Sequence, residues 1–181
     1  IESIKDMILK CSEDAVKQGI TSIQTDDFEQ LPKKDYEKII KAYLELIDEG
    51  KMKVRVYEQC IFSDIRKLEE FLAKGYTTGW GNEYFKIGPL KILADGSLGA
   101  RTAYLREPYN DDRETTGIHL FTQEELDRFV LTAHNGGMHV AIHAIGDGAM
   151  YMAFESIEKA LRENPREDHR HGIVHCQITD M

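Results

Sequence analysis

Hydrophobic residues along this chain recur in two alternating rhythms. Ile1, Ile4, Met7, Ile8, Cys11, Ala15 and Val16 fall three and four apart, which predicts one face of a helix that Gly19 stops. Ile20 to Thr25 is a short β-branched run ending at Asp26-Asp27, which predicts a strand and a polar turn. Pro32 then opens a second helix, with the stripe Tyr36, Ile39, Ile40, Tyr43, Leu44 and Ile47 and a stop at Gly50. Lys53 to Ile61 predicts another strand. Ser63 is positioned to cap a third helix bearing Ile65, Leu68, Phe71 and Leu72, with Gly75 after it.

A third strand runs from Tyr84 to Ala94, broken by Gly88-Pro89. Proline has no N–H to donate, so regular pairing is expected from Leu90 onward. From Asp95 to about Gly117 the pattern is irregular. Thr122-Gln123-Glu124-Glu125 is a capping box in front of Leu126, Phe129, Val130 and Ala133, and Gly136-Gly137 ends that helix. Met138 to His143 is a fourth strand, Asp147 caps a helix reaching about Leu161, and His171 to Cys176 is a fifth strand.

Strand and helix thus alternate without a hairpin signal, which predicts βα units, a parallel sheet and right-handed crossovers. Pattern alone leaves a (β/α)8 barrel and an open doubly wound sheet both standing. No glycine-rich dinucleotide fingerprint follows any strand, which counts against the second. Five strands do not close an eight-stranded barrel, so residues 1–181 are expected to be a fragment of one barrel domain.

The composition fits that frame: 181 residues with 41% hydrophobic content suit a single domain with a core. A formal net charge of −9 argues against a nucleic-acid partner or an anionic membrane surface. No apolar run approaches the roughly 20 residues of a membrane span, and no signal-peptide pattern opens the chain. The expectation is a cytoplasmic protein whose natural start precedes Ile1. Three scattered cysteines do not make a disulfide framework. Cys11 and Cys60 read as buried thiols, and Cys176 as a packing residue on the side of its strand opposite His175.

Three residues carry the candidate chemistry, each at a predicted strand's C-terminal end, where barrels keep their active sites. They are Lys91, His143 and His175. Two neutral imidazoles at equivalent ends of adjacent strands form a half-site for zinc or a similar divalent ion. A charged ammonium beside that ion would be repelled. A neutral amine can instead add carbon dioxide, giving a carbamate able to bridge two metals about 3.5–4 Å apart. Lys91 could also pair with Asp95, reach solvent, or form a Schiff base. In the loop that follows, Asp95, Ser97 and Arg101 are candidate substrate contacts, with glycines that permit close backbone approach. His139, at the far end of its strand, reads as structural. So do His169 and His171, whose H-x-H spacing falls at a strand's start, and His119 and His134.

The strings Leu90-Lys91-Ile92-Leu93-Ala94-Asp95-Gly96-Ser97, His143-Ala144-Ile145-Gly146-Asp147 and His171-Gly172-Ile173-Val174-His175 resemble the amidohydrolase superfamily. The resemblance is to its Amidohydro_3 branch, which holds the N-substituted formamide deformylases and YtcJ-like hydrolases. It implies a metal-dependent TIM-like barrel, of which this chain would be strands two to six. It also implies that Lys91, often carboxylated, His143 and His175 are ligands of one or two divalent ions, zinc first among them. The family's H-x-H pair would precede residue 1. Its general-base aspartate would lie beyond Met181, since Asp180 is too close to the sixth strand to replace it.

The resemblance implies, for the parent, hydrolysis of a carbon–nitrogen bond of amide or formamide type in a small-molecule substrate by metal-activated water. The segment alone is expected to be inactive and to mask its open strand edges by self-association. The rivals are a non-catalytic regulatory or ligand-binding protein on the same scaffold, and a Schiff-base enzyme using Lys91.

Overall fold

Five strands lie side by side in chain order, and every neighbouring pair is parallel: Ser22–Thr25 (β1), Arg55–Ile61 (β2), Phe85–Leu93 (β3), Val140–Ala144 (β4) and Gly172–His175 (β5). The helices are Glu2–Lys17 (α1), Tyr36–Asp48 (α2), Ile65–Ala73 (α3), Gln123–Asn135 (α4) and Asp147–Glu163 (α5). This computed structural model describes residues 1–31 and 33–179. Strand order never reverses, as it would in a doubly wound sheet, and the five strands curl into a half-barrel. That is the partial (β/α)8-type architecture expected from the alternation of elements.

The core lies between the strands and the helices. Val56, Cys60, Phe85, Ile87, Leu90, Ile92, Val140 and Ile142 from the sheet meet Leu46, Phe71, Leu126, Val130 and Ala153 from the helices. Each large side chain removed from water here contributes about 1.5–3 kcal/mol. The opposite, concave face carries the polar partners of the alternation. Gln24 and Gln59 join their amides across β1 and β2 at 3.0 Å on that face. Lys5 fastens α1 to α2 through Glu45 at 3.3 Å and through Glu49. Cys11 is exposed rather than buried, whereas Cys60 is buried as expected. Among the described residues no helix is long and apolar enough to cross a membrane.

Three caps differ from expectation. The helix expected from Pro32, which lies outside the described residues, begins at Tyr36, where the Asp35 carboxylate accepts from the Lys38 N–H. Asp64, not Ser63, caps α3 by accepting from the Arg66 N–H. Gly146, not Asp147, is the N-cap of α5, and the Asp147 carboxylate accepts from the Arg106 N–H instead. In the first two cases a neighbouring carboxylate is the better-placed acceptor, and in the third the carboxylate is taken by another N–H, choices that spacing does not resolve. The Thr122–Glu125 capping box forms in full.

The bend in β3 has a consequence for chemistry. Pairing with β2 begins at Phe85, earlier than expected, while pairing with β4 begins at Leu90 as expected. Between Ile87 and Leu90 the register to β2 slips by one residue, a bulge centred on Gly88-Pro89 that places the donor-less proline where no ladder bond is needed. Phe85 and Ile87 face the helices, and so do Leu90 and Ile92. Strict alternation from Ile87 would have pointed Lys91 into the core. The bulge turns it to the concave face.

Candidate metal centre

Lys91 is in register with Ala141, and His143 with Leu93 and Val174, so Lys91 and His143 share the concave face of adjacent strands. His175 arrives differently. Its register partner is Ala144, which is buried against the helices. Two successive residues in the left-handed region, His175 at φ 77° and Cys176 at φ 51°, break the alternation. The His175 ring then stands edge to face with His143, centroids 4.6 Å apart, while Cys176 Sγ contacts Met150 Sδ on α5 at 3.4 Å. The sheet therefore brings the three candidate ligands to one rim.

His143 Nε2 is 2.9 Å from the Gly96 carbonyl oxygen and 3.2 Å from Asp95 Oδ1. Both are acceptors, so Nε2 is the nitrogen that donates and Nδ1 is the one turned away from them. Burial, then repulsion from His143 and Lys91, holds His175 below the usual imidazole range. Burial likewise lowers the affinity of Lys91 for its proton, opposed by the charge of Asp26. Neutral nitrogens are what a cation requires of its ligands. Among the described residues, however, no three His, Cys, Asp or Glu side chains converge as a metal site. The donor set here is two imidazoles and an amine.

The predicted substrate contacts sort differently. Asp95 has a fully buried side chain and accepts from the backbone N–H groups of Tyr104, Ile145 and Gly146, so it presents no oxygen to a ligand. Ser97 is exposed; its N–H donates to Thr102 Oγ1 and its carbonyl accepts from Thr102 N. Arg101 turns outward at φ 53° and pairs with Asp111 at 2.7 Å. A cleft of about 400 Å³ opens beside Lys91, walled by Ile61, Phe62, Leu93, Leu120 and Phe121.

The remaining histidines are structural. His134 Nε2 donates to the Asn164 carbonyl at 2.6 Å, which leaves its Nδ1 to accept from His171 Nε2 at 2.8 Å. His171 Nδ1 in turn accepts from the Val140 N–H at 3.1 Å. Both rings are neutral and fully used at the base of the sheet. His139 is half-buried there, held below its ordinary value by burial and by Arg166. His119 is exposed in its loop, with Nδ1 2.9 Å from the Phe121 carbonyl. Asp26, read from the sequence only as part of a polar turn after β1, is the acidic charge that acts on Lys91.

Comparisons with known proteins bear on the family and the fold. YtcJ of Bacillus subtilis (strain 168) is 44% identical over 98 residues, covering 54% of this chain and 18% of that protein. LONG AFTER FAR-RED 3 of Arabidopsis thaliana is 30% identical over 190 residues, covering 98% of this chain and 30% of that one. The chain thus spans under a third of the curated relatives it matches. A crystal structure of an uncharacterized metal-dependent hydrolase from Pyrococcus horikoshii OT3 superposes with a TM-score of 0.73 at 33% identity, covering 87% of this chain and 30% of that one. Its counterpart from Pyrococcus furiosus gives 0.67 at 30% identity, covering 86% and 31%. The Amidohydro_3 profile, that of the amidohydrolase family, matches residues 2–180, and the chain belongs to that family.

Proposed function

We propose that this segment supplies part of the metal centre of a hydrolase that cleaves amide- or formamide-type carbon–nitrogen bonds in a small molecule. One observation carries the reading: His143 and His175 stand ring against ring on the same rim as Lys91, with His143 Nε2 already committed to acceptors. His143 through Nδ1, His175 and Lys91 as its carbamate would hold one or two divalent ions, zinc by preference. Bound there, the metal would lower the pKa of water toward 7 and polarise the scissile carbonyl.

The residues of this chain then have separable tasks. The two imidazoles orient and donate. The apolar walls of the cleft beside Lys91 take a nonpolar substituent of the substrate and exclude water from it. By the family resemblance the proton acceptor for attacking water is an aspartate outside these residues, and the segment by itself does not turn over.

The test uses the full-length protein. Elemental analysis should find one or two equivalents of zinc or a similar ion, and hydrolysis of N-substituted formamides or amides should be lost on chelation and in Lys91→Ala, His143→Ala and His175→Ala. Absence of a stoichiometric ion from active or folded protein sinks the reading.

A further inference from the structure

We infer that Asp95 is a positioning residue: it holds the His143 ring in one tautomer and ties that ring to the two loops that flank it. The inference rests on the reading of His143 as a metal ligand, and the structure supplies the connections. Asp95 Oδ1 lies 3.0 Å from the Ile145 N–H and 3.2 Å from His143 Nε2. Oδ2 lies 2.8 Å from the Gly146 N–H and 2.9 Å from the Tyr104 N–H. One carboxylate therefore joins the end of β3, the irregular loop through Tyr104 and the β4–α5 turn, all against a single imidazole.

Only a group that accepts at both oxygens fits. The side chain is fully buried, so its charge must be met inside the protein, and the converging N–H dipoles do that. The turn it grips has no slack: a Cβ on Gly146 would fall 1.9 Å from the Tyr104 carbonyl oxygen. The Gly96 carbonyl accepts from Nε2, and the Asp95 carboxylate stands 3.2 Å from the same nitrogen, an electrostatic setting that favours the proton there and leaves Nδ1 as the nitrogen for a cation. An asparagine retains one acceptor and turns an NH2 toward either the backbone donors or the ring. Facing the ring, that NH2 favours the opposite tautomer, with the proton on Nδ1, where it would block a cation.

The experiment compares the full-length protein with Asp95→Asn and with Leu126→Ala, a core variant destabilised away from the rim. Two quantities are measured: the ring 15N shifts of His143 in metal-free protein, and zinc affinity by chelator competition. Unaltered protein should show the Nε2-protonated tautomer. Asp95→Asn should shift population to the Nδ1-protonated form and weaken zinc about 10–100-fold. Leu126→Ala should change neither.

An Nδ1-protonated ring in unaltered protein overturns the inference without any variant, which matters if Asp95→Asn does not fold. Zinc affinity and tautomer both unchanged in folded Asp95→Asn overturn it too, leaving Asp95 a latch of the backbone alone. If the tautomer shifts but even unaltered protein takes up no zinc, the role of Asp95 stands and the metal reading falls.

Discussion

His143 and His175 meet edge to face with ring centroids 4.6 Å apart, although the strand register pairs His143 with Val174. The left-handed backbone at His175 and Cys176 makes up the difference. Because His175 is exposed at a strand end, His175→Ala should leave the melting temperature of metal-free protein within about 2 °C. In the full-length protein it should nonetheless weaken zinc binding at least about 100-fold, read by chelator competition. A large stability loss with intact zinc binding would assign His175 to packing instead.

Gly88 is where the β3 bulge passes β2. A Cβ there would lie 2.6 Å from the Glu58 carbonyl oxygen, a backbone atom that cannot swing aside as a side-chain end can. Gly88→Ala is expected to cost roughly 2–4 kcal/mol in denaturant unfolding, at the upper end of single substitutions. It should also reduce metal uptake by full-length protein, because the bulge sets the direction of Lys91. Gly99, with nothing near its missing Cβ, is the neutral control for Ala substitution.

Glu58 sits in the core behind β2, where burial, then the charge of Asp27, push its carboxyl well above the ordinary 4.5. Its Oε1 accepts from the Asp27 N–H at 2.9 Å, but Oε2 has no partner. Unfolded chain releases this proton near 4.5 while folded protein keeps it to higher pH, so stability falls as pH rises through that interval. Glu58→Gln keeps the accepted bond and cannot ionise. It should stabilise the protein near neutral pH by on the order of 1 kcal/mol and flatten the dependence of melting temperature on pH above 4.5.

The histidine relay at the base of the sheet predicts the opposite slope. Burial, with repulsion from His169, His134, Arg166 and His139, pulls His171 from 6.5 down to about 3. Unfolded protein binds a proton below 6.5 that folded protein refuses until about 3, so stability present above 6.5 is lost as pH falls across that window. Melting temperature should therefore drop from pH 6.5 to 4, and His171→Gln should shrink the drop. An unchanged slope in the variant would place the acid sensitivity elsewhere.

Among the described residues β1 and β5 each have a single strand neighbour, leaving two rows of backbone groups without ladder partners. In isolation these 181 residues should associate, and sedimentation velocity should show species larger than monomer at tens of micromolar. A clean monomer would mean that loops or side chains shield the edges.

The alternation of helical and strand spacing determined the order of elements, the parallel sheet and the barrel-type class, because those follow from local periodicity and from the absence of hairpin turns. Sequence also marked Lys91, His143 and His175, since a basic or imidazole side chain ending an apolar strand is a local signal. Their convergence was not local. Lys91 faces the rim because a bulge shifts the phase of β3 against β2, and His175 does so because its backbone leaves the extended region; both depend on pairing between distant segments. The role of Asp95 was decided by tertiary structure as well. Next to a glycine loop it read as a substrate contact, and only the fold showed its oxygens closed in by N–H groups from Tyr104, Ile145 and Gly146. Periodicity reports which face a residue prefers; where a bulge, a left-handed residue or a buried carboxylate overrides that preference, the deciding contacts lie far away along the chain.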